Sequence, residues 1–319
     1  MDIINCPQCD RVVYFDNAVC LGCGTKLAFN PDTRTMVRAG IDAPLCKNAS
    51  NHDACNWTAL PNGSFCLACD ANETIPDLSK PGHLDLWREM EAAKRRLFYS
   101  LRELGLVAVS SQAFPERVPP LRFRFLGATE NKPVTTGHED GLITIDIAEA
   151  EDAERERRRN ALGEEYRTPL GHLRHETGHF FWLLLVDSVG RHDDFRAVFG
   201  DERQDYGEAL KRHYAEGPRS NWQSQFISAY ASAHPHEDWA ETFAHYLHIH
   251  DTMTTAQEVG FVPKEPLDGK SLVEAWIPLS VRLNQLNRSM GHRDLYPFVL
   301  TKPVRDKLIF LHDAIHRST

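Results

Sequence analysis

The sequence predicts an α+β chain in two unequal parts: a small cysteine-bearing module over residues 1–80, then a larger, mostly helical domain with a small mixed sheet over residues 81–319. All eight cysteines fall between positions 6 and 69. Beyond Pro81-Gly82, apolar residues recur at helical spacing in several long stretches, and only two short runs read as strands.

With 319 residues and 42% hydrophobic content, the chain is long enough for real cores. A net charge of −9 disfavours non-specific attraction to nucleic acid or an anionic membrane, and leaves room for a local basic patch. The opening Met1-Asp2-Ile3-Ile4-Asn5-Cys6 has no basic stretch leading into an apolar one, and the longest apolar run, Phe180 to Val186, is too short to span a bilayer. A cytoplasmic location is therefore expected. The confinement of the cysteines agrees, because a secreted disulfide protein of this size spreads its bridges through the body, whereas clustered thiolates bind metal in a reducing compartment.

Those cysteines form two sets. Cys6-x-x-Cys9 and Cys20-x-x-Cys23 are two knuckles ten residues apart, with Gly22 and Gly24 near the second turn, which is zinc-ribbon spacing. Cys46, Cys55, Cys66 and Cys69 comprise one tight and one looser pair and predict a second four-thiolate zinc, with free buried thiols as the alternative. Closed sites of this kind fold a segment that lacks a hydrophobic core. No Lys/Arg face is clustered between Cys6 and Cys69, so contact with a protein partner or recruitment of substrate is expected rather than nucleic-acid binding.

The larger part opens on a helix over 84–104, with Leu86, Met90, Ala93, Leu97 and Leu101 on one side. Strands are expected at 121–126 and 142–147, the second preceded by Gly141 and read as a sheet edge able to pair with an extended peptide. The Glu/Arg-dense run at 148–163 reads as a solvated helix face or exposed loop. Thr168-Pro169 then supplies an N-cap and a first-turn proline for a helix expected to reach Val189 and stop at Gly190. Further helices are expected around 202–216, 236–250, 272–287 and 304–315.

Inside the helix that begins at Pro169 lies His175-Glu176-Thr177-Gly178-His179. Residues four apart share a helix face, so His175 and His179 can present two imidazoles to one metal. A catalytic zinc takes three protein ligands and keeps one position open for water. Glu176 is placed to reach that water rather than the metal, as general base and then proton donor to a leaving amine. Leu170, Leu173, Phe180, Phe181 and Leu184 give the helix the apolar side that burial requires.

Position 185 is Leu, which excludes the histidine of a His-x-x-Gly-x-x-His arrangement and leaves a carboxylate as third ligand. Glu237 and Glu241 are four apart and share a face, so either could bind. Glu241 is favoured because its Trp-Ala-Glu-Thr-Phe-Ala setting resembles glutamate-ligand zincins. Glu237 or Asp238 would then orient a ligand histidine through its other ring nitrogen. His245 and His248 follow on the same helix, as supporting groups or as plain core or surface histidines. For the oxyanion donor, Tyr230, His234 and Tyr246 are the local choices, His234 first.

Five segments carry a family resemblance: the C-P-x-C opening, G-L-I-T-I-D-I-A-E-A at 141–150, Y-R-T-P-L-G-H-L-R-H-E-T-G-H-F-F-W at 166–182, S-A-Y-A-S-A-H-P-H-E-D-W-A-E-T-F-A-H-Y-L-H at 228–248, and N-R-S-M-G-H-R-D-L-Y-P-F-V-L at 287–300. Together they make the chain similar to bacterial putative zinc-binding metallopeptidases with an N-terminal zinc ribbon. The resemblance implies a zincin-like fold and metal-dependent peptidase chemistry, with His175 and His179 as ligands and Glu176 as base. One catalytic and one or two structural zinc ions are expected, acting on a peptide, isopeptide or other amide. The competing reading is a zinc-ribbon interaction protein whose zincin-like domain is a non-catalytic scaffold. Arg288 and Tyr296, in the last segment, are candidates for the cleft wall, with packing the plainer explanation.

Overall fold

The computed structural model describes residues 1–61, 63–107, 118–128, 134, 136–162 and 167–317; position 163 of the Glu/Arg run and Tyr166 of the quoted motif lie outside them. The N-terminal part begins with two antiparallel hairpins, β1 (Ile4–Asn5) with β2 (Val12–Val13), and β3 (Leu27–Asn30) with β4 (Thr35–Arg38). Helices α1 (Lys47–His52) and α2 (Leu67–Asp70) and strand β5 (Asn72–Thr74) follow. The expectation of a coreless segment is corrected here. Phe15, Phe29 and Trp57 pack together with Tyr99, ring centroids 4.9 to 6.0 Å apart, and Leu27, Phe29 and Trp57 are buried. Tyr99 belongs to α3 (His83–Glu103), so the core of the N-terminal part is completed by the next helix.

Helix α3 buries Met90, Leu97 and Leu101, as its spacing predicts. Strands β6 (Arg122–Leu126), β7 (Gly137–Glu139) and β8 (Leu142–Asp146) join β5 in one sheet of order β5-β6-β8-β7, with β7 antiparallel to β8 and the other pairings parallel. The strand expected at 142–147 is thus not an edge: β6 covers one side and β7 the other. Glu139 opposes Leu142, so the connection is the two-residue turn Asp140-Gly141, both with positive φ (46° and 80°). An Asp-Gly turn of this kind matches the twist of the strands it joins. A side chain at Gly141 would also come within 2.9 Å of Pro119 and of the Pro120 carbonyl.

A 3-10 turn (Ile147–Ala150) and α4 (Asp152–Leu162) occupy the Glu/Arg-rich run. It is more than a solvated face, because Arg158 reaches inward to the buried carboxylates of Asp146 (2.7 Å) and Glu149 (3.2 Å). Helix α5 (Pro169–Trp182) begins where predicted, with the Thr168 hydroxyl accepting from the Gly171 N–H at 3.0 Å. Its last part departs from the α pattern: residues Leu183–Asp187 form a π turn before the chain reverses at Gly190, φ 70°.

Helices α6 (His192–Phe199), α7 (Tyr206–Glu216), α8 (Trp222–Gln225), α9 (Pro235–Glu258), α10 (Gly269–Ser289) and α11 (Lys302–His316) complete the fold. The contact that matters for the site is α5 against α9. A Cβ on Gly178 would sit 3.0 Å from Ala240 Cα and 3.1 Å from Phe243 Cβ, so only glycine lets the two backbones come this close. Trp239 Nε1 donates to the Gly178 carbonyl (2.8 Å), and Phe181 stacks on Phe243 at 5.3 Å, locking the crossing. Among the described residues, no helix is long and apolar enough to cross a membrane.

Candidate metal centre and active site

His175 and His179 project from α5 toward the first turn of α9. There Nε2 of His175 lies 3.1 Å from Oε2 of Glu237, and Nε2 of His179 lies 3.6 Å from Oε1 of the same carboxylate. Donor atoms about 2.0–2.1 Å from one tetrahedral zinc are roughly 3.3–3.4 Å apart, so these separations suit a shared ion. Oε2 of Glu237 is buried and receives no hydrogen bond from the described residues, which is costly for a carboxylate unless a cation takes it.

Glu241, the residue favoured from sequence, is placed elsewhere. Its Oε1 lies 2.7 Å from Nδ1 of His175, on the far side of the ring, and its Oε2 accepts from the Ser228 hydroxyl at 2.6 Å. The two glutamates share a helix face but stand a turn apart along the axis, and the close crossing at Gly178 brings only the earlier one level with both Nε2 atoms. Asp238, about 100° further round the helix, faces away from both histidines. It pairs with Lys307 Nζ on α11 (2.7 Å), and burial pushes its carboxyl up to about 7 against the pull of that lysine.

His234 does not face the cluster with a free donor. Its Nδ1 accepts from the His236 N–H (3.1 Å), capping α9, and its Nε2 meets the Gln204 carbonyl (3.1 Å), so both ring nitrogens serve backbone groups. The oxyanion role expected of it is not available in this geometry. Tyr246 is also turned away, its hydroxyl against His312 Nδ1 at 3.1 Å. Of the three residues considered, Tyr230 stays close, its ring 5.9 Å from that of His175. His245 has its Nδ1 at 3.0 Å from the Tyr296 hydroxyl, and burial pulls its pKa down to about 4. Tyr296 is therefore a packing residue behind α9, while Arg288 pairs with Asp294 at the surface (2.5 Å).

Four residues missed in sequence complete the site. The Tyr206 hydroxyl, from α7, donates to Oε1 of Glu237. His138, from β7, lies nearly parallel to His179 at 6.4 Å, and burial together with His179 pulls its pKa down to about 4. His172, one turn before Glu176 on α5, has Nε2 at 3.1 Å from Oε1 of Glu176 and Nδ1 against Oε2 of Glu149. Burial opposes the charged forms of His172 and Glu149, but their attraction outweighs it, holding Glu149 down to about 2 and His172 up to about 9. Only His172 had a local signal, its i,i+4 relation to Glu176; the others arrive from distant elements.

The cysteines gather as their spacing predicts, into Cys6, Cys9, Cys20, Cys23 and Cys46, Cys55, Cys66, Cys69. Sulfur pairs stand 3.6 to 3.7 Å apart, close to the roughly 3.8 Å of thiolates around one zinc and far from a disulfide's ~2.05 Å. The second set is wholly buried, and N–H groups of Trp57, Cys66 and Cys69 point at its sulfurs at 3.3 to 3.4 Å. Cys69 also touches Glu91 (3.6 Å), which pairs with Lys94 (2.8 Å) in full burial.

Residues 83–314 match a family described as putative zinc-binding metallo-peptidase, and residues 3–80 match a zinc-ribbon domain. Uncharacterized proteins of Mycobacterium bovis and Mycobacterium tuberculosis are 40% identical to the chain over 324 residues, covering 98% of this chain and 94% of each relative. No solved structure matches.

Proposed function

The chain belongs to the family of putative zinc-binding metallo-peptidases, and from that premise we propose that it hydrolyses peptide or other amide bonds at a centre made by His175, His179 and Glu237, with Glu176 as general base. The observation that carries this reading is the convergence of two Nε2 atoms and an otherwise unsatisfied carboxylate oxygen beside Glu176. A zinc ion held by such donors supplies a Lewis acid that polarises a carbonyl and eases deprotonation of water.

The remaining roles belong to the chain's own side chains. Glu241, itself held by the Ser228 hydroxyl, holds His175 by its outer nitrogen, and Tyr206 holds Glu237. Glu176 takes the proton of the attacking water and returns it to the leaving amine. Tyr230, whose pKa is raised by burial and by the charge of Glu237, keeps its proton and donates it in a hydrogen bond to the developing oxyanion. An extended substrate pairs along β7, the terminal strand of the sheet among the described residues, where His138 already stands beside His179. The two cysteine sets hold structural zinc, and the ribbon recruits a protein substrate or partner in a reducing, cytoplasmic setting.

Zinc content and hydrolysis of a mixed peptide library test this together. Three zinc ions per chain are expected, falling to two in His175→Ala and Glu237→Ala. Glu241→Gln should keep the third ion with weaker affinity, and Glu176→Gln should keep all three and lose hydrolysis. Two zinc ions in the wild type, with activity indifferent to Glu176→Gln, would instead mark the larger domain as a scaffold.

A further inference from the structure

We infer that His172, clamped by Glu149, is a positioning residue that aims the Glu176 carboxylate; the inference rests on the proposed role of Glu176 as base. A glutamate side chain turns freely about its last torsion, so a base must be held to present one oxygen to the proton it accepts. Here Oε1 of Glu176 is engaged by Nε2 of His172 at 3.1 Å, which leaves Oε2 for the water. Ionised carboxylates only accept hydrogen bonds, so a ring held between Glu149 and Glu176 must donate from both nitrogens.

The clamp is itself anchored. Glu149 is buried at 3% exposure in the 3-10 turn after β8 and receives Thr136 Oγ1 (2.9 Å), Arg158 Nη1 (3.2 Å) and Arg167 Nη2 (3.3 Å). Arg158 in turn bonds Asp146 at the end of β8. The Glu/Arg-rich helix α4 thereby gains a purpose its composition did not suggest. It ties the sheet, through Glu149 and His172, to the base on α5. A buried carboxylate that served only packing would need no imidazole between it and the next carboxylate; two arginines already neutralise it.

Substitutions that mimic one ring nitrogen at a time separate aiming from packing. His172→Gln places an amide donor near the Nε2 position and can still hold Glu176; His172→Asn places it near Nδ1 and can hold only Glu149. With the full chain loaded with zinc, His172→Asn should lower kcat on the peptide library about 10- to 100-fold, leave KM within about threefold and keep zinc content unchanged, while His172→Gln retains most of kcat. Equal kcat in both variants and the wild type overturns the inference, as does an equal loss in both.

A second readout needs no turnover. In 15N-histidine-labelled protein, His172 should show two exchange-protected ring N–H protons, one lost in Glu149→Ala and the other in Glu176→Ala. If the wild type shows both protons but cleaves nothing, the clamp stands and the hydrolase reading falls. If neither proton is protected, the clamp falls whatever the activity.

Discussion

Replacing Gly178 with alanine tests whether helix packing sets the metal centre. The added methyl would meet Ala240 Cα at 3.0 Å, Phe243 Cβ at 3.1 Å and the Ala240 carbonyl at 3.2 Å. Carbon atoms at rest are about 3.5–4.0 Å apart, so α9 must retreat by a few tenths of an ångström. Glu237 lies one turn before Ala240 on the same rigid helix and retreats with it, by more than the ~0.2 Å that ligand distances tolerate. Alanine gains about 0.5–1 kcal/mol of helix propensity over glycine, against about 1–3 kcal/mol for overpacking. The net loss of roughly 0–2.5 kcal/mol leaves a typical domain of about 5–15 kcal/mol folded. Zinc affinity at the centre should fall about 10- to 100-fold, as when a supporting partner of a ligand is removed. Competition against a chromophoric chelator measures this, with a thermal melt to show that the fold persists. A variant that holds its third zinc as tightly as the wild type would refute the claim that the crossing sets the ligand geometry.

Graded chelation should strip the first cysteine set before the second, since Cys23 is exposed whereas Cys46, Cys55, Cys66 and Cys69 are all buried; metal release followed against sulfur-site occupancy checks the order. Lys94→Ala should cost about 3–5 kcal/mol in urea unfolding by stranding Glu91 as an uncompensated buried charge, and replacing both residues with apolar ones of like volume should cost much less. Burial lowers the pKa of His245 to about 4 and of His248 to about 3, so both imidazoles fold in neutral form. Their folded pKa values lie below the unfolded value near 6.5, so the unfolded chain takes up protons first as the pH falls. Stability should therefore drop from about pH 6.5 toward pH 4, and His248→Asn should make the decline of Tm between pH 7 and pH 5 shallower.

What was legible was local. Thr168 and Pro169 announce the start of α5, the four-residue step between His175 and His179 needs only helix geometry, and the Cys-x-x-Cys knuckles need only a turn. The choice between Glu237 and Glu241 was not local, since periodicity gives the face of a helix but not its height against a neighbour; that height is set by Gly178 meeting Ala240. At two places the structure departs from the sequence expectation although a local signal is present. Asp140-Gly141 is a hairpin turn, but β7 is only three residues long and shows no alternation, so in sequence β8 reads as an edge. His234-Pro235 repeats the cap-then-proline pattern of Thr168-Pro169, which marks His234 as a helix cap. Glu149 and Tyr206 reach the site across long stretches of chain, and nothing in their neighbourhoods points there.

Strand β5 lies three residues past Cys69, on the cysteine side of position 80, yet it hydrogen-bonds to β6 and its Glu73 pairs with Arg124 at 2.8 Å. Cutting the chain at its compositional seam to obtain the larger part alone would leave β6 as a raw border, its N–H and C=O groups open to any passing strand. Such a fragment invites self-association through that border, and a well-behaved form of the larger part would have to begin before Asn72, between the last thiolate and β5, rather than at position 81.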